Sequence, residues 1–229
     1  MTFKTDDELK NEVEYQLGWD SRLNPTEVGV TVHKGIVTLT GSVGSYAEKM
    51  AAKEAAHRAR GVLDVANEIV VRASNHHQHS DVDLARAIRH TLDWDVFVPS
   101  EQLHTTVTHG WVTLEGQVES YRERLDAERA VTHLQGVRGV TNKIVVTAVV
   151  NPNRVQELIE NVLTVRADRE AQRIQVKVAG GEVTLTGNVK SWDEKNAILG
   201  AVSHAPGVTA VHDQLFIDYY EMEFDTAIV

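Results

Sequence analysis

Three serine–glutamate pairs are the residues whose types and spacing could do chemistry: Ser45 and Glu48, Ser120 and Glu123, Ser191 and Glu194. A serine hydroxyl is a weak nucleophile until a neighbouring base takes its proton, and a carboxylate can belong to such a relay. The same Ser-x-x-Glu spacing is also the capping box of a helix start, in which each side chain satisfies a backbone N–H of the first turn. An apolar helical face follows all three pairs, so they are read as caps. A second group is His76, His77 and His79. Imidazoles this close can capture zinc or nickel loosely. They stand in a polar stretch without carboxylate or cysteine beside them, and adventitious binding is expected there. The chain has no cysteine, which excludes disulfides, thiolate zinc sites and thiol nucleophiles. No converging set of acid, base and nucleophile is shared along the chain, so neither catalysis nor a cofactor is expected.

The remaining candidates are apolar. Trp19, and Trp94 with Phe97, follow amphipathic helices; Trp111 stands just after a hairpin turn, where Ile36 and Glu182 hold the matching positions. Val70, Val145 and Phe216 fall on the far face of a strand. Each tryptophan has two readings: a lid on the core, or an exposed lip for lipid or protein. For the strand residues the alternatives are a tolerated surface residue and a patch for inter-domain packing or a partner.

The elements that must position these residues come in triplicate. Gly35-Ile36-Val37-Thr38-Leu39-Thr40-Gly41 recurs from Gly110 and again from Gly181, at offsets of 75 and then 71 residues. The same offsets relate Leu9, Val13 and Leu17 to Leu84, Ile88 and Leu92, and then to Val155, Ile159 and Leu163. Self-similarity of this kind marks one structural unit written repeatedly. Each unit opens with an amphipathic helix, near 6–18, 81–93 and 152–164, with Asp6, Ser80 and Asn151 as N-cap candidates. An alternating strand follows, then a two-residue turn ending in glycine, which needs positive φ. The second strand carries Val37/Leu39, Val112/Leu114 and Val183/Leu185 on one face. The capped second helix has a small apolar face, and a third strand ends the unit at Ile69/Val71, Ile144/Val146 and Leu215/Ile217. The predicted class is α+β: three tandem α-β-β-α-β domains, each a small three-stranded mixed sheet with both helices on one face. The expected domains are 1–73, 80–148 and 151–218, with an acidic and aromatic tail over 219–229.

The pattern Gly-x-Val-Thr-Leu-x-Gly-x-Val, a capped alanine-rich helix and then Gly-Val-x-x-Val-x-Asn resembles the BON domain (bacterial OsmY and nodulation). It covers about 6–72, 80–147 and 151–218. The third copy departs at Asp213, where the others have Asn67 and Asn142, and at Val165-Arg166 in place of Trp19-Asp20 and Trp94-Asp95. The resemblance implies a protein tied to osmotic or envelope stress that binds phospholipid, a membrane surface or client proteins. It implies as an alternative a cytoplasmic protein that binds or senses potassium.

Charge separates these partners. The formal net charge is −10, and each of the three units is net acidic. Nucleic-acid binding needs a positive footprint to release counterions, so no nucleic-acid partner is expected. The same charge favours proteins over anionic lipid. A secretory leader needs a basic start and an apolar stretch, and a membrane span needs roughly 18 apolar residues. Neither pattern occurs, and a cytoplasmic location is expected.

Overall fold

The computed structural model describes residues 4–72, 80–147, Val155 and 174–217. The helix expected near 152–164, the tail 219–229 and the histidines at 76, 77 and 79 lie outside the described residues, apart from Val155.

In the first repeat, α1 (Asp6–Trp19) leads through a short 3-10 turn at Pro25–Glu27 into the hairpin β1 (Val28–His33) and β2 (Ile36–Val43). α2 (Tyr46–Arg58) then crosses to β3 (Asp64–Asn67) and β4 (Val70–Val71). β1 pairs antiparallel with β2, while β3 and β4 both run parallel to β2. The second repeat has the same parts: α3 (Asp81–Trp94), β5 (Leu103–Thr108), β6 (Trp111–Val118), α4 (Tyr121–Thr132), β7 (Gly139–Asn142) and β8 (Val145–Val146). In the third, β9 (Ile174–Ala179), β10 (Glu182–Val189), α5 (Trp192–Ser203) and β11 (Ala210–Ile217) are described. These are three tandem α+β units, as the pattern predicted.

The third strand differs from a simple reading. It is one ladder in the third repeat and two pieces in the others. The register does not slip: Ile36 faces Asp64 and Ser42 faces Val70, as Glu182 faces Ala210 and Asn188 faces Phe216. The break falls at Asn67, whose side-chain amide donates to the Lys49 carbonyl at 2.9 Å and whose oxygen accepts from the Ile69 N–H at 3.3 Å. Asp213 still accepts from the Leu215 N–H at 3.0 Å but cannot donate; the Lys195 ammonium meets it at 2.8 Å instead. The departure at Asp213 is thus compensated within its own repeat.

Each core lies under the middle strand. Val37 and Leu39 are sealed by Leu9, Val13 and Leu17 of α1, by Ala52, Ala55 and Ala56 of α2 and by Ala59 at its C-cap. Alanine on α2 lets the helix axis approach the sheet closely. The second glycine of the repeated motif has a steric cause: a Cβ at Gly41 would sit 2.1 Å from the Glu27 carbonyl, and one at Gly116 2.1 Å from that of Gln102.

The hairpin turns hold positive φ at Lys34 and Gly35, at His109 and Gly110, and at Gly180 and Gly181. In two repeats a carboxylate clamps this turn. Asp6 accepts from the Lys34 N–H at 2.9 Å and the Gly35 N–H at 3.3 Å; Asp81 accepts from His109 at 2.7 Å and Gly110 at 2.9 Å. This corrects the N-cap expected at Asp6. Thr5 caps α1 in a reciprocal box with Glu8, which frees Asp6 to face the turn. Ser80 caps α3 as expected, accepting from the Asp83 N–H at 3.1 Å.

Those backbone donors hold the Asp6 and Asp81 carboxyls below their ordinary pKa. A carboxylate depressed on folding adds stability that is present above its unfolded pKa of about 4 and lost as pH falls through the folded value. Asp6→Ala and Asp81→Ala should therefore lower the urea midpoint at pH 7 and flatten its decline below about pH 4. The control Asp7→Ala, an exposed residue of the same first turn, should do neither. Urea melts of the variants across pH 2–7 check this.

Candidate functional site

The serine–glutamate pairs resolve first. Ser45, Ser120 and Ser191 each accept from the backbone N–H of their glutamate, at 3.2, 3.2 and 3.1 Å. The glutamates reach back to the residue before the cap: Gly44 at 3.3 Å, Glu119 at 2.9 Å and Lys190 at 2.6 Å. Every serine oxygen is spent on a helix start, with no histidine in the constellation. Among the described residues no group of three or more His, Asp or Glu could hold a metal ion, and no helix is long and apolar enough to cross a membrane.

Of the apolar candidates, Trp19 and the Trp94–Phe97 stretch lie at the ends of α1 and α3. Asp20 ends α1 with a side chain only 7% exposed, bonded to Arg22 at 2.8 Å and to Arg58 of α2 at 2.9 Å. Arg22 also meets Glu54 at 2.9 Å. Hydrogen bonds from Arg22 and then Arg58 hold the Asp20 carboxyl far below the usual range, against the desolvation that would raise it. The network pins the loop after α1 to α2. Trp19 stands outside it, exposed, with the Tyr15 ring 5.8 Å away.

The second repeat changes this corner. Phe97 holds the place of Arg22, and His133 that of Arg58. Trp94, Val96 and Phe97 are 76%, 92% and 71% exposed. The core-lid role belongs to the next residue: Val98 is buried, and its counterpart Leu23 packs on the first core. Three exposed large apolar side chains, Trp94, Val96 and Phe97, thus fall at the corner where the first repeat has an ion-pair network.

Trp111, on β6, is 58% exposed. Its ring lies across the backbone of β7: a Cβ at Gly139 would come within 2.3 Å of it. The sequence signal was available in hindsight, because Asp64 and Ala210 replace Gly139 exactly where Ile36 and Glu182 replace the tryptophan. Val70, Val145 and Phe216 are exposed on their sheets. In the second repeat Lys143 reaches Glu115 at 3.4 Å, a pair exposed on both sides and worth little. One surface groove of about 710 Å³ is lined by Asp81, Arg86, Arg89, His90 and Asp93 of α3 with Val107. Mixed charges on a helix flank give it no evident ligand class.

A chain of small α-β-β-α-β modules with its polar motif residues spent on caps is a tandem-repeat α+β protein. The comparisons agree. The BON domain matches residues 5–73, 80–148 and 153–218. The chain belongs to the BON domain family. It is similar to osmotically-inducible protein Y of Escherichia coli (strain K12), 27% identical over 146 residues, which covers 62% of this chain and 73% of that protein. Among solved structures, CdsD, a structural protein of the type III secretion system of Chlamydia trachomatis, aligns over 91% of both chains at 15% identity. Its TM-score is 0.26, and the alignment carries nothing for this chain.

Two substitutions separate scaffolding from display. Ser120→Ala should cost about 1 kcal/mol of unfolding free energy as the loss of an N-cap, read by urea titration. Gly139→Ala should lift the Trp111 ring off β7 and shift its emission to the red, measured with the other three tryptophans replaced by phenylalanine.

Proposed function

We propose that this protein is a non-enzymatic, osmotic-stress-associated binding protein that engages exposed apolar segments of other proteins through the corner Trp94–Phe97. One observation carries the reading. The second repeat has Phe97, 71% exposed, in the place of a structural arginine of the first, and its sequence neighbours Trp94 and Val96 are exposed as well. Exposed aromatic clusters are costly to keep on a soluble surface and mark interaction sites. Trp19, Trp111, Val70, Val145 and Phe216 are secondary contact candidates, each presented singly. The association with osmotic stress rests on the BON family and on the similarity to osmotically-inducible protein Y.

The net charge of −10 favours proteins over an anionic membrane, because each acidic unit is repelled by the same surface potential that draws basic segments. Lipid binding remains the family's other implication. The potassium reading rests on the resemblance alone.

The purified protein should suppress aggregation of a thermally unfolded client while sedimenting poorly with phosphatidylglycerol vesicles. A truncated aromatic hot spot costs about 1–2 kcal/mol. The double variant W94A/F97A should therefore need at least about tenfold more protein for the same suppression, with an unchanged melting temperature. Strong vesicle sedimentation without client protection would replace the protein reading by a lipid one. Inactivity of the unaltered chain in both assays would remove both.

A further inference from the structure

Trp111 is exposed, yet the backbone holds it in place. Cε3, Cζ3 and Cη2 of its indole are the atoms nearest to where a Cβ would stand on Gly139. Gly139 is buried although it lies on the edge strand β7, whereas its counterparts Asp64 and Ala210 are not. One side of the indole therefore rests on main chain and the other meets water. A ring fixed in this way loses little freedom when a ligand stacks on it. Side chains alternate along a strand, so Trp111 shares the helix-free face of its sheet with Thr113 on β6, Thr106 and Thr108 on β5 and Thr141 on β7. Neighbouring strands lie about 4.8 Å apart, which sets hydroxyls close beside the indole. Among the described residues neither these four hydroxyls nor the indole N–H has a hydrogen-bond partner. Thr132 and Thr147 of the same repeat, by contrast, donate to carbonyls at 2.8 and 3.2 Å.

These six residues supply an aromatic plane and unspent hydroxyls, with no charge among them. Glu115 and Lys143, further along the sheet, pair with each other at 3.4 Å. The combination excludes most ligands. An anion or a nucleic acid needs cations. An apolar peptide or acyl chain would strip water from four hydroxyls and return nothing to them. A neutral sugar matches both parts. The C–H bonds on its ring face carry partial positive charge and pack on the negative face of an indole. Its hydroxyls donate and accept, as those of threonine do. β-Linked glucose suits the plane best, because its ring hydroxyls are all equatorial and both ring faces are left to C–H. We propose that this face of the second repeat binds a neutral β-linked glucan, one glucose ring stacked on Trp111 with its hydroxyls bonded by Thr113 and Thr141, and Thr106 and Thr108 meeting the adjoining rings. The first repeat lacks the site: Ile36 and Asp64 replace Trp111 and Gly139, and His33 and Ala66 replace Thr108 and Thr141. In the third, Lys177 replaces Thr106, and a Glu182–His212 ion pair at 3.1 Å takes the place of Trp111 and Thr141. The site is separate from the Trp94–Phe97 corner and does not depend on the protein-binding reading.

Isothermal titration of the full chain with cellohexaose, to about 10 mM, tests this, since weak specific association reaches about 1 mM. The unaltered protein should bind one cellohexaose per chain and give no binding heat with dextran, an α-linked glucan, or with heparin, a polyanion. W111A should bind at least about tenfold more weakly. G139A keeps the indole and removes its seat, so it should lose affinity too, an effect that aromatic surface alone does not produce. T113A/T141A should bind several-fold more weakly through lost hydrogen bonds, and it decides the matter should W111A or G139A fail to fold. W94A/F97A should bind cellohexaose as the unaltered chain does, which keeps a failure here distinct from a failure of the protein-binding reading. An unaltered chain that ignores cellohexaose, a W111A variant that binds it equally well, or dextran bound as tightly would each overturn the proposal.

Discussion

The middle strand of each sheet is the constraint on which the rest depends. Val37 and Leu39, like Val183 and Leu185, have no exposed surface, and every neighbouring element is arranged to keep them dry. β1 and the third strand occupy both edges of β2, and two helices cover one of its faces. A unit of this size buries a limited core, so small errors in approach matter. This explains why the conserved-looking letters between repeats are small. Alanine on α2 brings the helix down to Leu39; glycine at 41 lets the loop carbonyl of Glu27 come in. Replacing Leu39 by alanine would remove a large part of the stability of such a unit, since buried leucine deletions cost about 2–5 kcal/mol.

Polar side chains in this fold act mainly as fasteners. Thr5, Ser45, Ser120 and Ser191 close helix starts; Asp6 and Asp81 close hairpin turns; Asn67 breaks the third strand and ties it to α2. Each satisfies backbone donors or acceptors that would be costly to leave unmade. The result is a module whose shared residues are committed to architecture, leaving the unshared ones to differ between repeats. Phe97 for Arg22, Trp111 with Gly139, and Asp213 with Lys195 are such differences, and two of them display aromatic surface.

The helix-start aromatic Tyr121 packs against the core cluster of the following repeat. Tandem modules of marginal individual stability gain by packing on their neighbours. Display of aromatic residues at the loop corners and their use at the helix starts are therefore separate uses of the same residue type.

The repeat, the class and the order of elements were legible in the sequence, because period-two and period-four apolar patterns and positive-φ glycines are local properties. So were the serine caps, whose partners lie three residues away. The cap of α1 was misread, since Thr5 and Asp6 are both good caps locally and only the hairpin, 28 residues further on, decides that Asp6 faces the turn. Trp19 and Trp94 had two readings in sequence; Leu23, packed on its core, and buried Val98 take the inward place and the indoles lie outside. The Trp111–Gly139 contact joins residues brought close by strand pairing. Pattern along a chain specifies which face of an element is apolar. What that face, or an aromatic beside it, comes to touch is set by distances between elements, and those exist only once the chain has folded.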